Sequence, residues 1–479
     1  MVMTFYFYDL ETSGINARAQ RIMQFAGQRV GADFKPIGEP DNWLIALTDE
    51  IVPDPEAILV TGITPQKTKE EGYTEAEFLK LFTEQVCQPD TVIVGYNNVR
   101  FDDEFMRATL WRNFYDPYEW QWQDGRSRWD LLDVVRMVRA LRPEGITWPI
   151  DKDGKPTNRL ELLTRENKLD HDSAHDALSD VRATISVAKL LKEKQPKMFE
   201  YLLGMRSKKA VLELVRAEDP QPFLYTSGRY ASEHQKTTAA IVVGQAEHGS
   251  VLVYDLRIDA TQFDDMNDDE LKEKLFVRDA ETGELPVKVL KPNACPAVAP
   301  LGVLDKAASQ SIHLTTEQVA SNFTQLRRSG LATKINNLYE AFNIARREKF
   351  SDAEDPDLQL YDGFTPDKDK TLSRAVRSAD VNELADFSPD FSDERLAALL
   401  PWYKARNYPQ SLTDSERRKW DEYKSKRVMN GLYGQLPLSA FGERLAELAQ
   451  TKTDDKSQFL LEELTLYGQS IAPTIEADG

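Results

Sequence analysis

The stretch Thr4-Phe5-Tyr6-Phe7-Tyr8-Asp9-Leu10-Glu11 joins a compact aromatic run to two acidic residues two positions apart. Aromatic residues favour strands, so we predict a strand over residues 4–9. Side chains two apart on a strand point to the same face, so the carboxylates of Asp9 and Glu11 project together. Two like charges this close repel unless a cation lies between them, and hard divalent cations prefer carboxylate oxygens. The alternative is a pair of solvated carboxylates at a strand edge.

Strand and helix signals alternate from this run to about residue 195. The predicted strands are 24–30, 43–48 and 91–95, and the predicted helices are 75–86, 131–141 and 177–191. Such alternation is typical of a layered α/β domain.

A second acidic motif follows the predicted strand 91–95, in the sequence Asn97-Asn98-Val99-Arg100-Phe101-Asp102-Asp103. A carboxylate just past the carboxyl end of a strand lies where α/β sheets place their active sites. We expect Asp103 to begin the next helix, where a negative side chain is favourable, which leaves Asp102 as the candidate ligand. The alternative is that both aspartates only cap that helix.

The third motif is His171-Asp172-Ser173-Ala174-His175-Asp176-Ala177-Leu178-Ser179-Asp180. Residues five apart on a regular helix diverge by roughly 140°, so His175 and Asp180 converge only if the histidine lies in the entry loop or the first turn. Ser173, with Asp176 three residues on, is a capping signal that places the helix start here. A structural histidine near a helix start is the alternative.

Beyond residue 197 the sequence first becomes β-rich and then helical. Runs at 237–243 and 250–256 read as strands split by His248-Gly249, and 278–290 reads as a hairpin around Thr282-Gly283. A helical segment runs from 315 to 349, with Thr315 or Thr316 as its N-cap. Helical patterns then dominate at 370–377, 394–400, 414–428 and 440–448. We predict three domains, at 1–195, 197–350 and 356–475, with a linker at 351–356 and a frayed tail from residue 471.

Composition narrows the class of protein further. No run of eighteen apolar residues occurs, which predicts no membrane span. The N-terminus lacks a basic region and a small-residue cleavage site, so we expect no leader. Cys87 and Cys295 lie far apart in no metal-ligand spacing, which predicts two reduced cysteines in a cytoplasmic protein.

The formal net charge of −19 argues against nucleic acid binding, which depends on Lys and Arg meeting phosphates. Binding depends on where positive groups cluster, however, rather than on the charge of the whole chain. Residues 100–142 contain eight arginines and eight acidic residues, so this stretch is neutral and the acidic excess lies elsewhere.

Taken in order on an α/β domain, Asp-x-Glu, a later Asn…Phe-Asp and His-x4-Asp resemble the DEDDh family of 3′→5′ exonucleases. Longer segments resemble the bacterial exonuclease I family within that group. The resemblance is dense at 61–66, 95–103, 112–118, 129–133 and 141–146, and thinner at 360–364 and 403–409.

The resemblance implies a fold and a reaction. It implies an α/β ribonuclease H-like exonuclease domain with a mixed sheet and helices, then a β-rich SH3-like domain and an all-helical C-terminal domain. The implied reaction is two-metal-ion hydrolysis of single-stranded DNA to 5′-mononucleotides, in DNA repair and recombination. Asp9, Glu11, Asp102 and Asp180 would hold two Mg²⁺ ions, or Mn²⁺, and His175 would be the general base.

An aromatic segment between the second and third motifs is a candidate surface for the DNA strand. Single strands bind aromatic platforms interleaved with positive groups. From their resemblance to family positions, we expect strand contacts from Arg107, Tyr118, Trp122, Arg136 and His175, and substrate contacts near the scissile end from Glu11 and Arg159. The seven aromatic residues of this segment are Trp111, Phe114, Tyr115, Tyr118, Trp120, Trp122 and Trp129. The alternative, for each of them, is a place in the hydrophobic core.

The resemblance also implies a partner, the acidic C-terminal tail of single-stranded DNA-binding protein. Arg417, Arg418 and Lys419 are candidates for docking it, although an ordinary solvated helix face is the simpler interpretation. We expect a monomer. Two alternatives to the DNA exonuclease stay open, a DEDDh exoribonuclease and a non-catalytic single-strand-binding scaffold. The catalytic motifs alone do not decide between DNA and RNA, because the 2′-hydroxyl is the group that distinguishes them.

Overall fold

The computed structural model describes residues 3–169, 176–348 and 355–473. Two five-stranded sheets and the helices around them account for the regular structure of these ranges. The predicted order of a mixed α/β domain, a β-rich domain and a helical domain is confirmed. Among the helices described, none has both the length and the apolar character to cross a membrane.

The first sheet is mixed. Its strands are β1 (Thr4–Thr12), β2 (Ile22–Val30), β3 (Asp41–Leu44), β4 (Thr91–Gly95) and β5 (Ser127–Asp130). The central strand β1 runs antiparallel to β2 and parallel to β4, while β3 and β5 form the edges. Both faces of β1 are buried, with Phe5 and Phe7 in one core and Tyr6 and Tyr8 in the other. This double burial explains why the aromatic run shows no polar alternation before Asp9.

Eight helices of the structure precede residue 205 and pack around this sheet. They are α1 (Pro55–Thr61), α2 (Pro65–Glu71), α3 (Glu75–Leu81), α4 (Asp102–Arg112), α5 (Leu131–Leu141), α6 (Leu160–Glu166), α7 (Ala177–Lys194) and α8 (Pro196–Gly204). α5 has the predicted bounds because the Asp130 side chain caps it, accepting from the Leu132 N–H at 3.0 Å. The predicted helix 75–86 is α-helical only to Leu81 and continues as a π-helical turn, Phe82–Val86.

The second sheet is antiparallel, in the order β10-β6-β7-β8-β9. Its domain contains α9 (Lys208–Val215), β6 (Phe223–Thr226), β7 (Thr237–Gln245), β8 (Val251–Asp255), α10 (Asp268–Phe276), β9 (Val287–Leu290), β10 (Ala297–Pro300), α11 (Lys306–Ile312), α12 (Thr316–Ser329) and α13 (Leu331–Glu348). Thr315 caps α12 as predicted, and Gly330, with φ of 68°, separates α12 from α13. One hydrophobic core continues from the first sheet into this domain.

The predicted hairpin over 278–290 is wrong. Thr282 and Gly283 do form a turn, in which the Asp279 carboxylate accepts from the Thr282 N–H at 2.8 Å. The residues before that turn form no strand, and β9 pairs with β8 instead. The predicted strand 43–48 is also displaced, since β3 ends at Leu44 and Ile45 makes only an isolated bridge with Tyr73.

The last domain is helical. It contains α14 (Asp367–Ser378), α15 (Val381–Asp386), α16 (Glu394–Asn407), α17 (Asp414–Asn430), α18 (Leu438–Thr451) and α19 (Asp455–Ile471). Of these, α15 and α19 were not predicted. Residues 351–354 and 474–479, in the predicted linker and tail, lie outside the described residues. Asp355, the next residue of the predicted linker, is buried and accepts from the Tyr423 hydroxyl at 2.7 Å.

Candidate active site

Three carboxylates meet at the carboxyl end of β1. Asp9 and Glu11 lie on β1, and Asp180 lies in the first turn of α7, which packs across that strand. One oxygen of each carboxylate lies within 4.8 Å of the others. Glu11 is buried, while Asp9 and Asp180 are partly buried. The structure thus brings Asp9 and Glu11 together on β1 and places Asp180 of α7 beside them.

Asp102 is the first residue of α4 and is 4% exposed. Its negative charge raises the pKa of both Asp9 and Glu11, so it belongs to the same electrostatic site. Within the described ranges its Oδ1 atom is buried and has no hydrogen-bond partner. A buried carboxylate oxygen without a partner is costly unless a cation or a donor completes it.

The carboxyl pKa values of Asp9, Glu11 and Asp102 are shifted upward. Burial, followed by the charges of Asp180 and Asp102, raises the pKa of Glu11 to about 8. Burial also raises the pKa of Asp9, together with the charges of Asp102, Glu11 and Asp180. The pKa of Asp102 is raised mainly by burial. Each of these carboxyls makes ionisation of the others less favourable, and a bound cation would stabilise their charged forms.

Asp103, the neighbour of Asp102, has a different environment. It lies in the first turn of α4 as predicted, but it is fully buried and bound by other side chains. It accepts from the Tyr8 hydroxyl at 2.7 Å and forms an ion pair with Arg128. Neither aspartate is the N-cap, because that position belongs to Phe101, whose side chain makes no capping bond.

The predicted general base, His175, lies outside the described residues, as do His171 and Ser173. The structure begins again at Asp176, which caps α7 by accepting from the Ser179 N–H at 3.0 Å. The charge of Asp176 also raises the pKa values of Asp9 and Glu11, so its carboxylate lies near the site. From the sequence, Asp176 was assigned only a capping role, although its place within the His-x4-Asp motif was a usable signal.

The aromatic segment 111–129 divides between core and surface. Trp111, Phe114, Trp120 and Trp129 are buried, so the core interpretation holds for these four. Trp122 is 62% exposed. The guanidinium of Arg107 lies 5.6 Å from the ring centroid of half-buried Tyr118, and it pairs with Glu104.

The two other predicted contact residues differ in exposure. The side chain of Arg159 is 73% exposed and lies 4.0 Å from Glu161. Arg136 is largely buried and donates to Asp133 at 2.6 Å. Its Nε atom has no partner among the described residues.

Arg136 belongs to a cationic cluster between the first two domains. Asp133 also accepts from Arg100 at 2.7 Å, and the half-buried Lys288 of β9 lies near the same carboxylate. Burial lowers the pKa of Lys288 to about 7, although Asp133 acts in the opposite direction. Arg100 and Lys288 were not predicted as contact residues, because no local pattern connects residues so far apart in the chain.

The donor set fits divalent metal ions. The site offers carboxylate oxygens, the ligands that Mg²⁺ and Mn²⁺ prefer, and the charges that act most strongly on Asp9 and Glu11 are all those of other carboxylates. The unpartnered Oδ1 of Asp102 and the raised pKa values are the features that a cation would relieve. Both cysteines are free, as predicted.

Three family models match the chain in succession: an exonuclease model at residues 6–188, an exonuclease I SH3-like domain at 206–341 and an exonuclease I C-terminal domain at 354–471. The exodeoxyribonuclease I of Haemophilus influenzae is 37% identical over 473 residues, covering 97% of this chain and 98% of that protein. The chain belongs to the exodeoxyribonuclease I family. The predicted resemblance to bacterial exonuclease I is therefore confirmed.

Solved structures of exonuclease I have the same fold. A crystal structure of Escherichia coli exonuclease I with a dA16 oligonucleotide matches with a TM-score of 0.91 and 35% identity, over 98% of this chain and all of that one. A crystal structure of SSB/exonuclease I with an inhibitor matches with a TM-score of 0.87 and 34% identity, over the same shares of each chain. The predicted fold class is confirmed over nearly the whole chain.

Proposed function

We propose that this exodeoxyribonuclease removes 5′-mononucleotides from the 3′ end of single-stranded DNA, with Mg²⁺ as its cofactor, in DNA repair and recombination. The observation that carries the proposal is the convergence of Asp9, Glu11 and Asp180 within 4.8 Å, beside buried Asp102. Two strand residues and two helix starts supply these side chains, which favours a built site over solvated carboxylates.

Asp9, Glu11, Asp102 and Asp180 would hold two Mg²⁺ ions, and Mn²⁺ fits the same oxygen donors. When bound, such ions stabilise the attacking and departing oxygens of phosphodiester hydrolysis. Asp9 has the other three carboxylates as electrostatic neighbours, so it would be shared between the two ions. Glu11 would also lie beside the terminal nucleotide.

His175 is our candidate for the general base that takes a proton from the attacking water. Imidazole has an ordinary pKa near neutral pH, which suits this role. His175 precedes the first residue of α7 by two positions, and Asp180 lies in the first turn of that helix. The 3′ oxygen of the penultimate nucleotide would then leave, which releases a 5′-mononucleotide.

The strand would lie over Arg107, Tyr118, Trp122 and Arg136, with Arg159 near the scissile end. The exposure of Trp122 and the unpartnered Nε atom of Arg136 support contacts with bases and phosphates, respectively. The cationic cluster around Asp133 supports a path between the exonuclease and SH3-like domains, since cations there outnumber the carboxylate they share.

The domain boundaries 1–195, 197–350 and 356–475, a monomeric state, a cytoplasmic location and docking of single-stranded DNA-binding protein complete the proposal. The SSB/exonuclease I structure supports the partner. Arg417, Arg418 and Lys419 lie on α17 of this chain and are candidates for docking the acidic tail of that protein.

An end-labelled oligonucleotide tests the function directly. A 3′ label should be released at once as a mononucleotide, whereas a 5′ label should stay on progressively shorter strands. Chelation of the divalent metal should stop both. Asp9→Asn should slow digestion by at least about 100-fold, the loss typical when one preorganised charge-stabilising group is removed. The matched control is Asp265→Asn, which changes an exposed carboxylate in the SH3-like domain.

The same assay decides between the alternatives. Faster trimming of a matched RNA strand would replace the substrate with RNA, because only the 2′-hydroxyl differs consistently along the backbone. Equal absence of digestion by the wild type and by Asp9→Asn would favour a non-catalytic single-strand-binding scaffold. Release of the 5′ label first would reverse the proposed polarity.

A further inference from the structure

Asp102 and Asp103, at the start of α4, differ in the partners that their carboxylate oxygens have. Asp102 presents an Oδ1 atom that is buried and without a protein partner in the described part of the chain. Asp103 is bound by the Tyr8 hydroxyl at 2.7 Å, the Asn98 amide at 3.3 Å and the Arg128 guanidinium. One oxygen of Asp102 is therefore left for a cation, while the carboxylate of Asp103 is bound by three side chains.

The start of α4 depends on those bonds. Its N-cap, Phe101, has φ of −128° and ψ of −77° and no side-chain capping bond, so a usual means of fixing a helix start is missing. Successive residues on a helix differ in direction by roughly 100°, so a small rotation of the first turn redirects Asp102. Asp103 opposes such a rotation, because Tyr8 holds it from β1 and Arg128 holds it from β5.

Arg128 is itself held by the SH3-like domain. Its Nη2 atom donates to the backbone carbonyl of Asn293 at 2.8 Å, and the thiol of Cys295 donates to the backbone carbonyl of Arg128 at 3.0 Å. Cys295 is buried and has a positive φ of 49°, so a strained residue closes this contact. A chain of direct contacts thus leads from the SH3-like domain through Arg128 to Asp103, next to Asp102.

We propose that Asp103 and Arg128 are positioning residues that aim Asp102 at the metal site, and that docking of the SH3-like domain through Arg128 strengthens metal binding. The inference rests on the proposed metal dependence. It explains why the buried Asp103–Arg128 ion pair lies directly beside Asp102, for which the described residues supply no positive partner. Supporting contacts of this kind typically change metal affinity by about 10–100-fold when they are lost.

Two variants test the inference by removing different contacts among those that hold Asp103. Tyr8→Phe deletes one hydroxyl from a packed aromatic residue and removes one bond to Asp103. Arg128→Lys keeps the charge but lacks the fork that reaches Asp103 and Asn293 together. Arg126→Lys is the matched control. Arg126 is an equally buried arginine just before β5 that donates to the backbone carbonyls of Cys87 and Trp120 and does not contact Asp103.

The measurement is Mn²⁺ affinity without DNA, from the electron paramagnetic resonance signal of free Mn²⁺, on full-length protein whose fold is checked by circular dichroism. We expect Arg128→Lys to weaken Mn²⁺ binding about tenfold and Tyr8→Phe about threefold, with Arg126→Lys within about twofold of the wild type. Affinity for an oligonucleotide in metal-free buffer should stay unchanged in all three.

Wild-type Mn²⁺ affinity in a folded Tyr8→Phe protein would overturn the inference, whether or not Arg128→Lys folds. Equal weakening by Arg126→Lys would also overturn it, since general destabilisation would then be the cause. Digestion of DNA is measured in separate reactions. A failure of the proposed function and a failure of the positioning role are therefore read from different experiments.

Discussion

Arg406 donates from Nη1 and Nη2 to the two oxygens of Asp357, at 2.9 and 2.7 Å, where both side chains are only 1% exposed. Its Nε atom donates to Glu50 of the exonuclease domain at 2.9 Å. These three residues belong to a buried network in which the numbers of arginines and carboxylates are equal. Its members are Arg21, Arg112, Arg406 and Arg427 with Glu50, Glu75, Asp355 and Asp357. This network joins the helical C-terminal domain to the exonuclease domain.

Breaking the network at Arg406 should destabilise the protein strongly. Arg406→Met leaves Glu50 and Asp357 buried without their main partner, and such a loss costs about 3–5 kcal/mol. We expect a large fall in the midpoint of urea unfolding. The control is Arg444→Met, which removes a surface pair with Glu56 and should leave the midpoint nearly unchanged. An equal midpoint for the two variants would show that the network contributes no more than an exposed pair.

The same network should make stability fall in acid. Burial alone would raise the pKa of Glu50, but the guanidiniums of Arg406 and Arg21 outweigh it and lower the pKa to about 2. A carboxyl with a depressed pKa stabilises the fold above its ordinary pKa of 4.5, and this stabilisation is lost as pH falls towards 2. Unfolding midpoints between pH 5 and pH 2.5 should therefore drop, and Glu50→Gln should flatten the dependence. A slope as steep in Glu50→Gln as in the wild type would contradict this assignment.

The metal site should have the opposite pH dependence in metal-free protein. Burial and the charges of Asp180 and Asp102 raise the pKa of Glu11 from 4.5 to about 8. Stability from a raised carboxyl pKa is complete below the ordinary value and is lost as pH rises through the folded value. For Glu11 we therefore expect a loss of about 2 kcal/mol between pH 6 and pH 8.

Unfolding of the metal-free wild type and of Glu11→Gln at both pH values measures that loss, with Glu218→Gln, at an exposed position, as the control. Glu11→Gln should be less sensitive to pH and should not digest DNA. Excess Mg²⁺ should stabilise the wild type more at pH 8 than at pH 6, because binding displaces protons. Equal stabilisation at both pH values would count against a metal site built on Glu11.

Local sequence patterns were sufficient to predict the elements and ligands that depend only on nearby residues. The bounds of α5 follow from its apolar period and the Asp130 cap. Asp9 and Glu11 were predicted to share a face because strand alternation alone requires it. Asp180 needed the resemblance as well, because nothing local indicates that the first turn of α7 reaches the end of β1.

Contacts between residues far apart in the chain could not be predicted from the sequence. The turn at Thr282-Gly283 is a local signal and it does form, but the choice of β8 as the partner of β9 depends on the whole sheet. No sequence signal distinguished Arg128 from the arginines near it, because its partners Asp103 and Asn293 lie far from it in the chain. Asp357, near the start of the predicted domain 356–475, proved to be a buried partner of Arg406 and Arg21.

Trp120 and Trp122 differ in exposure, so substitutions at these two positions should separate an effect on DNA binding from an effect on stability. Trp122 is 62% exposed, whereas Trp120 is 4% exposed and packs against Phe82 and Tyr8. Trp122→Ala should weaken binding of single-stranded DNA by about 1–3 kcal/mol, the range for one stacked base, without changing the unfolding midpoint. Trp120→Ala should lower stability by about 3–5 kcal/mol through the cavity that it leaves. Fluorescence anisotropy of a labelled oligonucleotide, measured in metal-free buffer below the unfolding range of both variants, gives the affinities. Unchanged affinity in Trp122→Ala would remove this residue from the proposed path of the strand.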